Sequence, residues 1–231
     1  MSLCVIPARG GSKRIPRKNI RIFNGKPMIV YAIELARDSG LFEHIVVSTD
    51  DEETAQVARE FGAKTPFIRS AALADDYSPT APVVADAIVR CEALGWSIDK
   101  VCCIYPCVPL VQVSDLQEAF RLLESHDADY LFPIVEFPAA IQRALRLGNN
   151  GWVQPFSPNY ELVRTQDLEP AFHDAGQFYW GKRNSWIDNP LIHSSGAGFV
   201  LPRTRVVDID TDADWALAEL IHQVIQPMKG D

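Results

Sequence analysis

Short apolar runs alternate with longer amphipathic stretches along most of this chain, and the alternation limits the folds that it can adopt. Strands are predicted at residues 3–8, 44–48, 100–105 and 130–135, and again at 177–180 and 206–209. Helices are predicted at residues 27–40, 52–61, 80–94, 114–124 and 211–225. Regular alternation of this kind predicts an α/β fold with a mainly parallel sheet and helices on both faces.

The alternation stops between residues 137 and 176. This segment is rich in proline, and Gly148-Asn149-Asn150-Gly151 predicts a hairpin turn between Leu145 and Val153. We therefore expect one domain over residues 1–231, with an inserted arm at about residues 137–176. Such an arm would cover a site or pair with another subunit.

The overall charge of the chain is negative, since 30 acidic and 22 basic side chains give a net charge of −8. This balance disfavours a protein that binds nucleic acid or a membrane surface. No apolar run approaches the roughly 18 residues that a membrane span requires, and the opening segment does not resemble a signal peptide. The five cysteines show no zinc-binding spacing, so we expect reduced thiols in a cytoplasmic protein.

Positive charge is concentrated in one glycine turn that follows the first predicted strand. The sequence Ala8-Arg9-Gly10-Gly11-Ser12-Lys13 continues to Arg14, Arg17 and Lys18. A strand, a glycine turn and a helix together present backbone N–H groups to phosphate. The spacing matches neither the P-loop nor the dinucleotide fingerprint, and the charge suits a triphosphate. The alternative is a solvated basic loop.

Two carboxylates stand two residues apart in Asp208-Ile209-Asp210. In a strand they would share a face, with Ile209 directed into the core. Adjacent carboxylates repel each other unless a cation lies between them, so we predict a Mg²⁺ site with phosphate oxygens as further ligands. The alternative is that Asp210 or Thr211 caps the last helix, with help from Asp214.

Two further strand ends carry polar side chains. Ser48-Thr49-Asp50 follows the second strand, where capping of the next helix is the preferred interpretation. Tyr105 and the prolines after it follow a later strand and are expected to form a wall for a base or a sugar.

Three motifs, in order, resemble those of the acylneuraminate cytidylyltransferases, the CMP-sialic acid synthetase family. They are residues 8–13 with Pro16, Lys18 and Asn19; residues 47–50; and residues 208–211. Tyr105 and residues 174–181 look closer to the pseudaminic acid cytidylyltransferase branch of that family. Pro106 and Cys107 depart from the small or threonine residues that usually follow the tyrosine in that branch.

The resemblance implies a Rossmann-like domain of the nucleotide-diphospho-sugar transferase type, with a dimerisation arm and a homodimeric assembly. It implies Mg²⁺-dependent transfer of CMP from CTP to the anomeric hydroxyl of an acidic nine-carbon sugar, a nonulosonic acid, with release of pyrophosphate. Pseudaminic acid is the first choice of sugar; sialic or legionaminic acid is the alternative, and 3-deoxy-octulosonate comes after these. The base for the hydroxyl proton is left open between a carboxylate of the acidic pair and a metal-bound water.

The resemblance also assigns roles to individual residues. Catalysis is expected from Arg9, Lys18 and Asp210, and metal binding from Asp208 and Asp210. Nucleotide binding is expected from Ala8, Arg9, Gly10, Gly11, Ser12, Lys13, Lys18, Asn19, Thr80 and Tyr105. The sugar pocket is expected to contain Arg164, Gln166 and Gln177, although Arg164 is as readily interpreted as a surface ion pair. A non-catalytic nucleotide-binding protein on the same scaffold is the remaining functional alternative.

Overall fold

The computed structural model describes residues 1–75 and 78–225. Its strands are β1 (Ser2–Pro7), β2 (Ile22–Phe23), β3 (Lys26–Pro27), β4 (His44–Ser48), β5 (Lys100–Ile104), β6 (Tyr130–Glu136), β7 (Leu145–Leu147), β8 (Val153–Pro155), β9 (Phe172–Asp174), β10 (Phe178–Lys182) and β11 (Gly196–Val200). Its α-helices are α1 (Met28–Ser39), α2 (Glu52–Glu60), α3 (Thr80–Ala93), α4 (Val113–Ser125), α5 (Arg183–Asp188) and α6 (Asp212–Ile225).

Seven strands form the central sheet, in the order β11-β6-β10-β5-β1-β4, with β9 also paired to β6. β1 is parallel to β4 and β5, and β11 is parallel to β6. β10 is antiparallel to both β5 and β6, so those two strands run in the same direction. The mainly parallel α/β sheet is therefore confirmed. β10 corresponds to the strand predicted at residues 177–180, but its antiparallel direction and the antiparallel strand β9 were not predicted.

Helices cover both faces of the sheet, as the apolar character of β1 predicts. Leu3 and Val5 pack with residues of α3 and α5 on one face. Cys4 and Ile6 pack with residues of α1 and α4 on the other. A strand that is buried on both faces reads as a continuous apolar run, because neither set of side chains meets water.

Helix ends mostly follow the predicted signals. Gly40 ends α1 with a φ of +68°, and the carboxylate of Asp51 accepts the N–H of Thr54 at 2.8 Å at the start of α2. The segment after β4 therefore does cap the next helix, but through Asp51 and not through Ser48, Thr49 or Asp50; the Asp50 carboxylate accepts the N–H of Gly10 instead. The sequence also favours Ser114 as the cap of the helix predicted at residues 114–124. This is wrong, because α4 begins at Val113 and the Asp115 carboxylate accepts the N–H of Gln112 at 2.9 Å.

The predicted strand at residues 206–209 is wrong. Residues 206–209 form no strand, and the carbonyl of Ile209 accepts a hydrogen bond from Lys18 Nζ at 2.7 Å instead. The edge strand is β11, which the sequence pattern missed. A Cβ on Gly196 would lie 2.4 Å from the Phe132 ring, and one on Gly198 would lie 2.6 Å from Ile134. Because β11 packs closely on β6, these two positions must be glycine. In a sequence pattern, glycine indicates a turn more often than a strand.

The arm contains the predicted hairpin, since β7 pairs with β8 in antiparallel register across Gly151, whose φ is +78°. β9 then returns the chain to the sheet beside β6. Among the helices of the described residues, none has the length and apolar character to cross a membrane.

Candidate active site

The basic loop that follows β1 is held against the end of β4 by backbone contacts. The Ala8 N–H donates to the Ser48 carbonyl, and the Gly10 N–H donates to Asp50 Oδ1, both at 2.9 Å. A Cβ on Gly10 would lie 2.7 Å from Cβ of Asp51, so only glycine permits this approach. The loop is therefore fixed at the carboxyl ends of two parallel strands, where ligands of such sheets bind.

A cavity of about 610 Å³ opens beside this loop. Seven of the predicted nucleotide-binding residues line it: Arg9, Ser12, Lys13, Lys18, Asn19, Thr80 and Tyr105. Ala8, Gly10 and Gly11 belong to the loop backbone that borders it. Residues from β1, α3 and the end of β5 thus converge on one space of the size that a nucleotide occupies.

The cations of the loop do not all face the cavity. Arg17 adopts a positive φ of 57° and pairs with Asp51 at 3.3 Å and with Glu53. Arg9, by contrast, lines the cavity, where its Nη1 donates to the carbonyl of Asp75 at 3.2 Å. The charge available to a phosphate group is therefore smaller than the residue count suggests.

One small apolar cluster brings the basic loop and the acidic pair together. Ile15 is fully buried in the loop, and Ile209 is buried between the two carboxylates. Both pack in a cluster with Phe23, Met28, Tyr31, Trp215 and Ala218. Because these isoleucines share one core, Arg14 and Asp210 beside them lie in contact, with Nη1 and Oδ2 2.6 Å apart.

The capping alternative is confirmed for Thr211 with Asp214, and it leaves the carboxylates of Asp208 and Asp210 outside the cap. At the start of α6, the Asp214 carboxylate accepts the N–H of Thr211 at 2.8 Å, and the Thr211 hydroxyl accepts the N–H of Asp214 at 3.3 Å. Partial burial, and then the charge of Asp210, raise the pKa of Asp208, while Lys18 and Arg14 oppose the shift. Asp208 lies with Lys18 and Tyr105 around a cavity of about 110 Å³.

The donor set of the acidic pair suits Mg²⁺. Two carboxylates that repel each other would be stabilised by a hard divalent cation. Over residues 1–75 and 78–225, no group of three or more His, Cys, Asp or Glu side chains is placed to hold a metal. A cation at Asp208 and Asp210 would therefore take its other ligands from substrate oxygens and water, as Mg²⁺ does in nucleotide sites.

A second cavity of about 320 Å³ adjoins the first, and Thr80 and Tyr105 line both. The hydroxyls of these two residues lie 2.7 Å apart. Farther in, Asp174 accepts a hydrogen bond from the Tyr179 hydroxyl at 2.7 Å and lies 2.8 Å from His193 Nε2. The second cavity thus has polar side chains able to bind hydroxyl or amide groups.

The three predicted sugar-binding residues lie elsewhere. Arg164 is exposed on the arm and pairs with Asp167 at 2.7 Å, and Gln166 lines a separate cavity of about 300 Å³. Gln177 is buried, and its Nε2 donates to the carbonyl of Arg205 at 3.0 Å. The structure therefore does not bring these side chains to the nucleotide cavity.

A buried arginine in the large cavity was not predicted. Arg69 is 6% exposed and donates to the Ser48 hydroxyl at 3.1 Å. Burial lowers the pKa of its guanidinium, and the charge of Asp50 opposes that shift. Within the described part of the chain, Arg69 has no carboxylate at ion-pair distance. The loop that leads to Arg69 contains no recognisable sequence motif. Only the folded structure therefore shows that Arg69 lies at the cavity.

The residues that depart from the family pattern also reach the site. Pro106 lines both the large cavity and the small one, and Cys107 lines the small one. The Cys107 Sγ lies 3.6 Å from Oδ1 of Asn19, and burial raises the pKa of this thiol to about 12. Cys107 is thus a thiol at neutral pH and unsuited to act as a nucleophile.

Comparison with known proteins agrees with this geometry. Residues 3–180 match the family model described as cytidylyltransferase. The chain is 45% identical over 226 residues to a pseudaminic acid cytidylyltransferase of Campylobacter jejuni, covering 96% of this chain and 97% of the relative. It is 32% identical over 235 residues to a CMP-N,N'-diacetyllegionaminic acid synthase of Legionella pneumophila, with 97% of each covered.

A solved structure shares the fold. A CMP:2-keto-3-deoxy-manno-octonic acid synthetase complexed with CTP superposes with a TM-score of 0.70 at 17% identity, over 98% of this chain and 99% of that one. At this identity the likeness concerns the fold. The resemblance seen in the sequence motifs is confirmed by the family model and by the identity to curated relatives. The chain belongs to the cytidylyltransferase family.

Proposed function

We propose that this protein transfers CMP from CTP to the anomeric hydroxyl of pseudaminic acid and releases pyrophosphate. The observation that carries the proposal is the large cavity: Lys13 and Lys18 both line it, and Nζ of Lys18 lies 3.7 Å from Oδ1 of Asp210. Cations that bind phosphates and carboxylates that bind a metal are the two requirements of nucleotidyl transfer. The 45% identity to a pseudaminic acid cytidylyltransferase supports the choice of sugar.

The triphosphate would lie along the basic loop. Arg9, Lys13 and Lys18 would neutralise charge on the phosphates, and the loop N–H groups would donate to phosphoryl oxygens. Neutralisation matters most on the pyrophosphate, which gains negative charge as it leaves. Arg69, with its buried guanidinium, would contribute a fixed positive charge from the floor of the same cavity.

Mg²⁺ fits this proposal as the cation between Asp208 and Asp210. When bound, it would supply charge neutralisation for the oxygens of the phosphate under attack. The chain's own part is to hold the two carboxylates beside Lys18, whose Nζ lies 3.7 Å from Oδ1 of Asp210. The proton of the anomeric hydroxyl would pass to a carboxylate of this pair or to a water that the pair holds.

The adjoining cavity supports a place for the sugar. It meets the nucleotide cavity at Thr80 and Tyr105, so a ligand there would approach the phosphates from the side of β5. Tyr179, Asp174 and His193 offer hydrogen-bonding groups to hydroxyl and acylamino substituents. Legionaminic or sialic acid is the alternative sugar. The 32% identity to the Legionella pneumophila synthase supports it less strongly than the 45% identity supports pseudaminic acid.

The test is a pyrophosphate-release assay with each of the four nucleoside triphosphates and with pseudaminic, legionaminic and sialic acids. We expect CTP with pseudaminic acid to give the highest kcat/KM and the reaction to require Mg²⁺. Equal rates with ATP or UTP would contradict the proposed nucleotide. A higher kcat/KM with legionaminic acid would replace the proposed sugar by its alternative.

We also propose that the protein acts as a homodimer through its arm, in the cytoplasm, where CTP is made. The arm exposes large apolar side chains: Trp152 is 75% exposed and Leu162 is 97% exposed. Apolar exposure on this scale is typical of a surface that pairs with another protein.

Sedimentation velocity tests this assembly. The wild type should sediment as a dimer, and the double variant Trp152→Glu with Leu162→Glu should dissociate it. Leu94→Glu, at an exposed site on the sheet domain, is the control and should leave the dimer intact. A monomeric wild-type protein would contradict this assembly.

A further inference from the structure

Arg205 lies five residues before Asp210, and its side chain is anchored in the interior. Its Nη2 contacts Oδ1 of Asp115 at 3.1 Å, and its Nη1 contacts the other oxygen of the same carboxylate. The side chains of Arg205 and Asp115 are only 14% and 6% exposed. Two parallel contacts between a guanidinium and a carboxylate fix the relative orientation of the two groups.

The main chain at Arg205 is held by a hydrogen bond as well. Its carbonyl accepts the hydrogen bond from Gln177 Nε2, and the carbonyl of Gln177 accepts the N–H of Tyr105 at 2.9 Å. Gln177 is therefore tied both to the wall of the nucleotide cavity and to the segment that leads to the acidic pair. Asp115 is itself fixed, because it caps the start of α4 through the N–H of Gln112.

We propose that Arg205, Asp115 and Gln177 form a clamp that positions the segment carrying Asp208 and Asp210. This inference rests on the proposed function, and it makes the three residues positioning residues, not groups that touch substrate. It also gives Gln177 a role other than the sugar contact expected from the sequence.

The shape of the segment explains why a clamp is needed. Residues 206–210 have no ladder hydrogen bonds to a neighbouring strand. After the clamp, the segment is fixed again at Lys18, Ile209 and the Thr211–Asp214 cap. A metal-binding carboxylate that is displaced by about 1 Å loses much of its effect, because nucleotidyl transfer depends on precise placement of charge.

A buried ion pair is a poor way to gain stability, because both charges lose their hydration. A pair of leucines at this place would be as stable, yet would not set the orientation of the main chain at Arg205. The bidentate geometry is thus better explained by orientation than by stability.

The test compares Arg205→Met, Arg205→Lys and Asp115→Asn with the wild type. Removing an outer residue that orients a metal ligand without touching the metal costs roughly 10–100-fold in activity or metal affinity. We expect a loss of that size in kcat for Arg205→Met, a higher half-saturating Mg²⁺ concentration, and a nearly unchanged KM for CTP. Arg205→Lys keeps the charge and one contact, so it should recover part of the loss. Arg203→Met, at an exposed residue of the same turn, is the matched control and should behave as wild type.

Hydrogen exchange measured on the enzyme without substrates separates the clamp from the proposed function. In Arg205→Met, a peptide covering residues 201–211 should exchange faster while a peptide covering β1 exchanges as before. Unchanged exchange in the first peptide, or an unchanged Mg²⁺ requirement with a lower kcat, would overturn the clamp. If wild type released no pyrophosphate, the proposed function would fail, and the exchange result would still decide whether these residues hold the segment.

Discussion

Arg14 Nη1 lies 2.6 Å from Asp210 Oδ2, although the two residues come from opposite ends of the chain. The contact joins the basic loop to the acidic pair. Ile15 and Ile209, the neighbours of these two residues in the sequence, hold it in place because they pack in one buried cluster. Arg14 and Asp210 carry opposite charges and are in contact with each other. A metal-bound triphosphate at this site would separate them. The site is therefore built of two halves whose charges are balanced by each other in the structure.

Asp210→Asn should lower turnover by at least about 100-fold, since one well-placed electrostatic group contributes roughly that much. The fold should persist, because Asp210 is not the cap of α6. Steady-state pyrophosphate release and the melting temperature check both statements. Asp212→Asn, two residues on at an exposed surface pair with Arg21, is the matched control. Wild-type turnover in Asp210→Asn would remove this carboxylate from the reaction.

Lys18→Ala should weaken the use of CTP. A charged hydrogen bond is worth about 1.5–3 kcal/mol, which is roughly 10–150-fold in kcat/KM. Lys182→Ala removes an exposed lysine that pairs with Asp127 far along the sheet and should leave kcat/KM unchanged. Unaltered kinetics in Lys18→Ala would show that the loop does not bind the triphosphate.

Gly10→Ala and Gly11→Ala should separate the two roles of the glycine turn. A Cβ on Gly10 meets Asp51 at 2.7 Å, whereas one on Gly11 has nothing within 4 Å. Crowding of this kind costs about 1–3 kcal/mol, so only Gly10→Ala should lower the melting temperature. If Gly11→Ala raises the KM for CTP while its stability is unchanged, phosphate approaches the backbone at that residue. Equal melting temperatures for the two variants would contradict the steric argument.

Glu92 and Arg183 link α3 to α5, with Nε and Nη2 of the arginine 2.9 and 2.8 Å from the carboxylate oxygens. The hydrogen bond from Arg183 lowers the pKa of Glu92 below its ordinary value of 4.5. A depressed pKa stabilises the fold at pH values above 4.5, and the contribution disappears as the pH falls through the folded-state pKa. Because the pair is partly exposed, we expect about 0.2–1 kcal/mol.

Glu92→Gln should therefore melt at a lower temperature than wild type at pH 7, and the difference should shrink and then vanish as the pH falls below 4.5. Chemical unfolding at pH 7 and at a series of pH values below 4.5 measures it directly. A difference that persists through the acid series would mean that packing, and not the ion pair, links these helices.

Much of the fold could be predicted because local signals coincide with the final structure. β1 is buried on both faces, and Gly40 and Asp51 mark helix ends by their own chemistry. The basic loop was predictable for the same reason, since glycines and cations at the end of a strand are typical of a turn that binds phosphate. These features depend on neighbours in sequence.

The features that escaped prediction depend on distant partners. Gly196 and Gly198 belong to a strand only because Phe132 and Ile134 leave no space for a side chain. Arg69 is held at the cavity by contacts with Ser48 and Thr49, and Gln177 by a contact with Arg205. Periodicity carries no information about such contacts.

The most direct measurement follows one oxygen atom. Pseudaminic acid labelled with ¹⁸O at its anomeric hydroxyl is incubated with CTP, Mg²⁺ and the protein, and the products are analysed by mass spectrometry. Attack of this hydroxyl on the α-phosphorus predicts a CMP-sugar that retains the label and an equal amount of unlabelled pyrophosphate. A CMP-sugar that lacks the label, or cleavage of CTP without a CMP-sugar, would contradict the proposed reaction.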